Sequence, residues 1–181
     1  MKRKILISGF GGQGIMVAGI VLGEAAIKEN LEVTFFPSYG AEMRGGTANC
    51  KVIISNEKIG SPNFKNPDVL ISMNQQSFDR FSKDVKKGGI VVFNSSICKA
   101  GNVSGVNVYG IPANEIAEKV GSLKSANMVI IGYLLKIDGF LDIEKVYDVI
   151  GIVFSKKKEF IDINKNALKE GYNYGKESSF K

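Results

Sequence analysis

The segment KILISGFGGQGI, residues 4–15, decides the expected fold of this 181-residue chain. Its first half is a short apolar run that ends at a glycine, which is typical of a buried central strand. Its second half has the spacing G-x-G-x-x-G, directly before an apolar stretch with helical character. Glycines there allow a tight turn and a close approach to a phosphate, while the helix start offers unpaired N–H groups. The segment predicts a strand, a glycine loop and a helix.

The next residues extend this unit toward a sheet. Residues 15–30 are predicted to form a helix that is apolar nearly all round, with Gly19 and Gly23 on one face. Glycines at that spacing would let the helix lie close to the sheet beneath it. Residues 31–38 form a predicted second strand because they are rich in β-branched and aromatic side chains. A β–loop–α–β order of this kind begins a doubly wound sheet.

The remaining chain alternates between short apolar runs and helical patterns. Strands are predicted at residues 47–55, 69–73, 90–94 and 106–109, and a turn at residues 56–58 favours a hairpin. Helices are predicted at residues 75–87, 112–119, 127–136, 142–150 and 163–172. The expected fold is therefore α/β: a Rossmann-like doubly wound sheet, mainly parallel, with a hairpin insertion after strand 2. We expect a single domain that covers residues 1–181.

The composition excludes several kinds of catalytic site. The chain contains no histidine and only two cysteines, Cys50 and Cys98. Without histidine there is no histidine base, no Ser-His-Asp triad and no histidine-ligated metal. Two cysteines cannot supply the four thiolates of an iron–sulfur cluster. Because they are far apart in the sequence, they are expected to be inert buried thiols in a reducing compartment. We predict no catalytic residue and no metal site.

The net charge and the N-terminal residues bear on whether the chain binds nucleic acid or membrane. The net charge is +6, yet the aromatic residues are not interleaved with the basic ones as a nucleic-acid stacking surface requires. Docking of an acidic partner is the preferred interpretation. Residues 1–23 superficially resemble a signal peptide or membrane anchor, but their glycines would break a continuous apolar helix. We expect a cytoplasmic protein that binds neither nucleic acid nor membrane.

The glycine loop has two interpretations. A complete dinucleotide site needs an acidic residue at the carboxyl end of the second strand, where it binds the ribose. Here that end reads FFPS, residues 35–38, and Glu32 lies at the opposite end of the strand. An independent NAD or FAD site is therefore rejected. The glycines either permit tight packing of the helix on the strand, or bind an anion or a partner chain, for example a cofactor phosphate held partly by another subunit.

A second distinctive segment is SYGAEMRGGTANC, residues 38–50. Glu42 and Arg44 are two residues apart and would point the same way in an extended segment. Gly45 and Gly46 leave room for a bidentate contact between the arginine and a carboxylate or phosphate. The alternative is a surface ion pair worth about 0–1 kcal/mol. Because strand 2 leads to the carboxyl edge of the sheet, this segment is expected beside the glycine loop.

These two segments, in this order, resemble the γ subunits of the 2-oxoacid:ferredoxin oxidoreductases. The residues SANM at 125–128, followed by Gly132, match a later signature of that family. The likeness covers essentially the whole chain. The sequence EMRGGTANC, residues 42–50, is more similar to the 2-oxoglutarate and branched-chain members than to the pyruvate or indolepyruvate members.

The resemblance implies a role inside a larger enzyme. The family cleaves a 2-oxoacid oxidatively on thiamine diphosphate with Mg²⁺, passes electrons through iron–sulfur clusters to ferredoxin, and transfers the acyl group to coenzyme A. The α and β subunits hold thiamine diphosphate and the 2-oxoacid, and a ferredoxin-like δ subunit carries clusters. This chain is then expected to bind no cofactor alone, but to pack against those subunits near the coenzyme A approach.

Ten positions carry over from the family as cofactor-binding or interface residues. They are Gly9, Gly11, Gly12, Gln13, Gly14, Tyr39, Glu42, Arg44, Gly45 and Gly46. The lysine run at residues 156–158 would meet coenzyme A phosphates or an acidic neighbour, or else be a solvated face. The apolar helix at residues 127–136 belongs in the core or at a subunit interface. The alternative function is a free-standing Rossmann-like protein that binds a nucleotide or coenzyme A.

Overall fold

A computed structural model describes residues 1–39, 47–101 and 103–175 of the chain. In this part, six strands form one sheet in the order β2-β3-β1-β4-β5-β6. The strands are β1 (Lys2–Phe10), β2 (Glu32–Tyr39), β3 (Thr47–Ser55), β4 (Val69–Ser72), β5 (Ile90–Asn94) and β6 (Asn107–Ile111). β1, β4, β5 and β6 are parallel neighbours, whereas β3 is antiparallel to both β1 and β2. The expected α/β fold with a mainly parallel sheet is confirmed.

Helices cover the two faces of the sheet unequally. They are α1 (Ile15–Lys28), α2 (Gln75–Phe81), α3 (Ala113–Lys119), α4 (Ala126–Asp138), α5 (Ile143–Val153) and α6 (Ile161–Asn173). α1 and α3 to α6 pack on one face around the larger core. The smaller core on the other face lies under α2 and the loop of residues 56–68. None of the helices in the described ranges has the length and apolarity needed to cross a membrane.

The hairpin after strand 2 is formed by β2 and β3 themselves. Glu32 lies opposite Ser55, and Tyr39 lies opposite Ala48. The hairpin predicted at the turn of residues 56–58 is wrong, because the next strand in the structure is β4, which does not pair with β3. Both edges of β3 are already paired, so the residues after it have no free strand edge to join. They form a loop that inserts Phe64 into the smaller core.

Glycines on α1 bring this helix close to the sheet, as predicted. A Cβ atom on Gly19 would lie 2.7 Å from both Phe35 Cε2 and Cys50 Sγ. On Gly23 it would lie 3.3 Å from Val33 Cγ1. The helix therefore contacts the hairpin through the two positions that lack a side chain.

The apolar helix predicted at residues 127–136 lies inside the chain's own core. As α4, it packs against α6, α3 and the sheet, and most of its side chains are buried. A Cβ atom on Gly132 would overlap the carbonyl oxygen of Leu168, and one on Gly171 would overlap that of Val129. The interpretation of this helix as a subunit interface is therefore wrong, because α6 packs directly against it, with the two backbones in contact.

We expect Gly171→Ala to lower the free energy of unfolding by about 3 kcal/mol or more, because the added methyl group meets backbone atoms that cannot move independently. Gly151→Ala on α5 is the matched control. A Cβ there has open space, so the higher helix propensity of alanine should stabilise the chain by up to about 1 kcal/mol. Urea unfolding measures both, and equal stabilities would contradict the close packing of α4 on α6.

The two cysteines are buried free thiols, as predicted. Burial raises the pKa of the Cys50 thiol to about 12 and that of Cys98 to about 11.

A cysteine thiol reacts as a nucleophile only in its deprotonated form, the thiolate. At pH 8 the native chain should therefore react with iodoacetamide about a hundredfold more slowly than the urea-unfolded chain. Comparable rates before and after unfolding would contradict the burial.

Candidate functional site

The carboxyl ends of β1, β4, β5 and β6 lie along one edge of the sheet, because these strands are parallel. Ligands bind at this edge in open α/β sheets. β1 ends at Phe10 and continues into the glycine loop. The N–H group of Met73 donates to the carbonyl of Ser8 at 2.9 Å, which ties the end of β4 to that of β1. The candidate site lies here, around the glycine loop.

The glycines of the loop divide into two groups. Gly9 and Gly14 are held by their neighbours: a Cβ on Gly9 would lie 2.6–2.8 Å from atoms of three side chains, and one on Gly14 would overlap Asn127. Gly14 caps α1 with a left-handed φ of 73°, which also favours glycine. Gly11 and Gly12 are exposed, and a Cβ on Gly12 would meet nothing within 4 Å. Tight packing thus explains Gly9 and Gly14, whereas Gly11 and Gly12 remain accessible to a ligand or partner.

The side chain of Gln13 is engaged within the chain. Its Oε1 accepts from the N–H of Phe10 at 2.7 Å and from Nδ2 of Asn74 at 3.3 Å. Its Nε2 donates to the carbonyl of Met73 at 3.1 Å. Asn74 in turn caps α2 by accepting from the N–H of Ser77 at 2.8 Å. Gln13 therefore shapes the loop by joining its start to the end of β4.

Asn127 was not among the predicted site residues, although its segment was part of the family signature. Its Nδ2 donates to the carbonyl of Gly14 at 3.1 Å, and the side chain is 4% exposed. The bond joins the first turn of α4 to the start of α1. The sequence feature that could have identified it is a single amide at the start of an otherwise apolar helix. A buried polar side chain requires a hydrogen-bond partner, so such an amide predicts a contact with another segment.

A pocket of about 410 Å³, which we call the loop pocket, opens beside the exposed glycines. Three helices begin at its wall, because it is lined by Gly14, Ser125 and Phe160, the N-caps of α1, α4 and α6. Lys124 and Lys157 also line it, and none of its described lining residues is a carboxylate. Lysines and helix N-termini both attract anions. Because 3₁₀ turns precede α4 and α6 and take up first N–H groups such as that of Ala126, the loop pocket is suited to phosphate mainly through its two lysines. Its apolar lining residues are Val17, Phe154 and Phe160.

A smaller pocket of about 310 Å³ lies on the other side of the loop. It shares Gly12 and Lys124 with the loop pocket, but its lining is mostly apolar and includes Met73 and Leu123. Leu123 is 50% exposed, and Phe10 at the end of β1 is 36% exposed. These exposed apolar side chains are available at the carboxyl edge for contact with another molecule.

The second predicted segment begins and ends at this same edge. β2 runs parallel to β1, and its last residue, Tyr39, pairs with Ala48. β3 begins at Thr47, directly opposite Phe10. The chain therefore leaves the sheet and returns to it next to the glycine loop. Glu42, Arg44, Gly45 and Gly46 lie outside the described residues, as does the side chain of Tyr39.

Residues 4–174 match the family model described as pyruvate ferredoxin/flavodoxin oxidoreductase. The chain belongs to this family. Subunit VorA of ketoisovalerate oxidoreductase from Methanothermobacter marburgensis is 40% identical over 97% of the chain, which spans only 37% of that relative. Subunit KorC of 2-oxoglutarate synthase from Methanocaldococcus jannaschii is 36% identical, and the match covers 98% of this chain and 96% of KorC.

Two solved structures of the family have the same fold. One is the 2-oxoglutarate:ferredoxin oxidoreductase from Magnetococcus marinus with 2-oxoglutarate, coenzyme A and succinyl-CoA bound. It superposes with a TM-score of 0.86 at 27% sequence identity, and the match covers 97% of this chain and 31% of that one. The γ subunit of a keto/oxoacid ferredoxin oxidoreductase from Geobacter sulfurreducens has a TM-score of 0.81 at 28% identity, covering 94% and 96%. The resemblance to γ subunits of this family is confirmed.

The strand order of this family member also differs from that of a dinucleotide-binding sheet. In the usual order, the second parallel strand lies next to the first, so that its acidic residue reaches the ribose. Here β3 lies between them, and residues 35–38 of β2 are two strands away from the glycine loop. The site at this edge is therefore built from the loop, α4 and α6 instead of from β2.

We expect Asn127→Asp to make stability depend on pH. The N–H of Met128, which donates to Oδ1 of residue 127, would lower the pKa of the new carboxyl. We expect burial and the facing carbonyl of Gly14 to raise it by more, above the ordinary value of about 3.9. The folded state then holds the proton more tightly than the unfolded state, so stability falls as pH rises from about 4 toward 7. Asn127→Ala should cost about 1–2 kcal/mol at either pH. Urea unfolding at pH 4.5 and 7 compares the variants, and parallel pH profiles would contradict this role of Asn127.

Proposed function

We propose that the chain, as one domain of residues 1–181, is the γ-type subunit of a multisubunit 2-oxoacid:ferredoxin oxidoreductase. The complex would convert a 2-oxoacid, coenzyme A and an oxidised acceptor into acyl-CoA, CO₂ and a reduced acceptor. Its partners would be α and β subunits that hold thiamine diphosphate and Mg²⁺, and a ferredoxin-like δ subunit that carries iron–sulfur clusters. We place this complex in the cytoplasm.

The loop pocket carries this proposal. Three helix starts and two lysines converge there next to apolar side chains, and the residues described around it include no carboxylate. Coenzyme A combines phosphates with a long, weakly polar arm and an aromatic base, so its chemistry fits such a lining. The presence of coenzyme A in the related Magnetococcus marinus structure supports this assignment. We propose that Lys124, Lys157 and the exposed Gly11 and Gly12 contact the phosphate groups.

The redox chemistry would take place in the other subunits. Cys50 and Cys98 are buried on different faces of the sheet, and the chain has no further cysteine and no histidine. Such residues fit neither a four-thiolate cluster nor a histidine base. The chain's own contribution would be to bind and orient coenzyme A and to complete the wall of the active site. It would not be catalytic alone.

The carboxyl edge would also form the interface near the assembled active site. Phe10 and Leu123 are exposed there, and the segment between Tyr39 and Thr47 starts and ends beside them. We propose that Tyr39, Glu42, Arg44, Gly45 and Gly46 act at this interface, together with the glycine loop. The alternative, a free-standing nucleotide- or CoA-binding protein, would use the same pocket without needing the apolar edge.

We propose 2-oxoglutarate as the substrate, supported by the match to KorC along nearly its whole length. A branched-chain 2-oxoacid is the second candidate, because the identity to the ketoisovalerate subunit is higher, 40% against 36%. An assay of the complex with 2-oxoglutarate, 2-ketoisovalerate and pyruvate, following viologen reduction without oxygen, distinguishes these substrates. Activity of the isolated chain, or a chain that purifies without partners, would contradict the subunit role.

In the assembled complex, we expect Lys124→Ala with Lys157→Ala to raise the KM for coenzyme A about tenfold or more, with a smaller change in kcat. Lysine–phosphate interactions that are equally strong in the bound substrate and in the transition state affect KM alone when they are removed. The KM for the 2-oxoacid should stay unchanged. Lys169→Ala, an exposed lysine of α6 outside the pocket, is the control. An unchanged KM for coenzyme A in an intact double variant would overturn the assignment of the pocket.

A further inference from the structure

A second concavity of about 620 Å³ lies on the opposite face of the sheet, away from the loop pocket. Its walls include Phe36 of β2, Lys51 of β3, Phe64 and Lys65 of the loop after β3, and Arg80 and Phe81 of α2. We call it the sheet groove. It shares no lining residue with the loop pocket, so the two can be altered independently.

The sheet groove exists because, among the described residues, no helix covers this side of the hairpin. α2 packs on β4 and β1, and α1 covers the other face of β2 and β3. Phe36 is consequently 45% exposed. β2 is also an edge strand of the described sheet, and Pro37 within it is typical of an edge. A large ring on an open sheet face beside a strand edge suits an extended chain segment better than a small, enclosed ligand.

The charges of the sheet groove indicate what would occupy it. Lys51, Lys65 and Arg80 line it, and Asp84 is the one carboxylate among its described lining residues. No ion pair joins any of these three cations to a carboxylate within the described ranges. An occupant with carboxylates would supply the missing counter-charges.

Two of the cations are held in place by aromatic rings of the same groove. Lys51 Nζ donates to the carbonyl of Phe64 at 2.7 Å and lies 5.2 Å from the centre of its ring. The guanidinium of Arg80 lies 5.1 Å from the centre of the Phe81 ring. Such contacts reduce the freedom that a long cationic side chain loses on binding, so the charge of Arg80 is preorganised for a partner. Lys51 also donates to Asn63 Oδ1 at 2.5 Å, so its role is to hold the wall of the groove and add to its positive charge.

We propose that the sheet groove docks an acidic, extended segment of a partner subunit, which places carboxylates on Lys65 and Arg80 and apolar side chains on Phe36 and Phe81. This inference rests on the proposed function, because it needs a chain that works inside a complex. It adds a second contact surface, on the face of the sheet that the loop pocket does not use. The occupant's carboxylates distinguish it from the apolar contacts at the carboxyl edge.

Carbodiimide cross-linking of the intact complex tests the occupant directly, because the reagent joins an amine only to a carboxylate that touches it. The complex would be purified with tagged chain from its native cell without oxygen. Mass spectrometry should find Lys65 joined to an aspartate or glutamate of a partner subunit. Lys65→Arg keeps the charge but lacks the amine, so it should remove that link and leave the complex assembled. A link only within this chain, to a second copy of it, or none at Lys65 would overturn the proposal.

Charge reversal tests whether the groove contributes to assembly. Lys65→Glu with Arg80→Glu should weaken association of the chain with its partners at least tenfold at 0.1 M salt, with a smaller effect at 0.5 M. Lys28→Glu with Lys169→Glu makes the same change of charge at exposed positions outside the groove and should leave association within about twofold. Native mass spectrometry with circular dichroism of each variant distinguishes weaker association from misfolding.

The outcomes separate this inference from the proposed function. A complex that assembles and reduces viologen, but tolerates the charge reversal and shows no link at Lys65, would remove the groove as a docking site and retain the subunit role. A chain that recovers no partner and supports no 2-oxoacid-dependent activity would overturn both. Weaker assembly of the Lys65 and Arg80 variant, with the KM for coenzyme A unchanged in the fraction that assembles, is the result we expect.

Discussion

Along the full length of β1, β3 is its antiparallel neighbour, with Lys2 opposite Ser55 and Phe10 opposite Thr47. Because β3 also pairs along β2, it takes the position that a second parallel strand occupies in a regular doubly wound sheet. Three properties depend on this pairing. β2 becomes an edge strand of the described sheet, and the segment after Tyr39 starts and ends beside the glycine loop. One face of the hairpin is left without a helix from the described part of the chain.

At the carboxyl edge, the described side chains that hold the loops together are amides. Gln13 joins the glycine loop to the end of β4, and Asn127 joins it to the start of α4. An amide can donate and accept at once, so one side chain satisfies several backbone groups without the desolvation cost of a buried ion. The positive character of the loop pocket then comes from Lys124, Lys157 and the helix N-termini that surround it.

Much of the secondary structure could be predicted from local patterns. The structure reproduces the predicted bounds of β3 and β5, because glycine or other turn residues flank both segments in the sequence. The close approach of α1 followed from Gly19 and Gly23, whose spacing alone places them on one helix face. The two errors had a different origin. The apolar helix at residues 127–136 was predicted to contact another subunit, and the turn at residues 56–58 was predicted to lead into a paired strand. In the folded chain α6 already covers that helix and β3 is already paired on both edges, which local sequence patterns do not show.

By itself, the sequence determined the order of strands and helices, the position of the glycine loop, the absence of histidine and cluster ligands, and the signature of the family, since these depend on residue type and short spacing. Only the tertiary structure decided that β3 separates β2 from β1, that α6 covers α4, and that Asn127 reaches Gly14 across 113 residues. Such contacts form between segments that are far apart in the sequence. Their contribution to stability depends on the packing of the whole chain, so local residue patterns do not predict them.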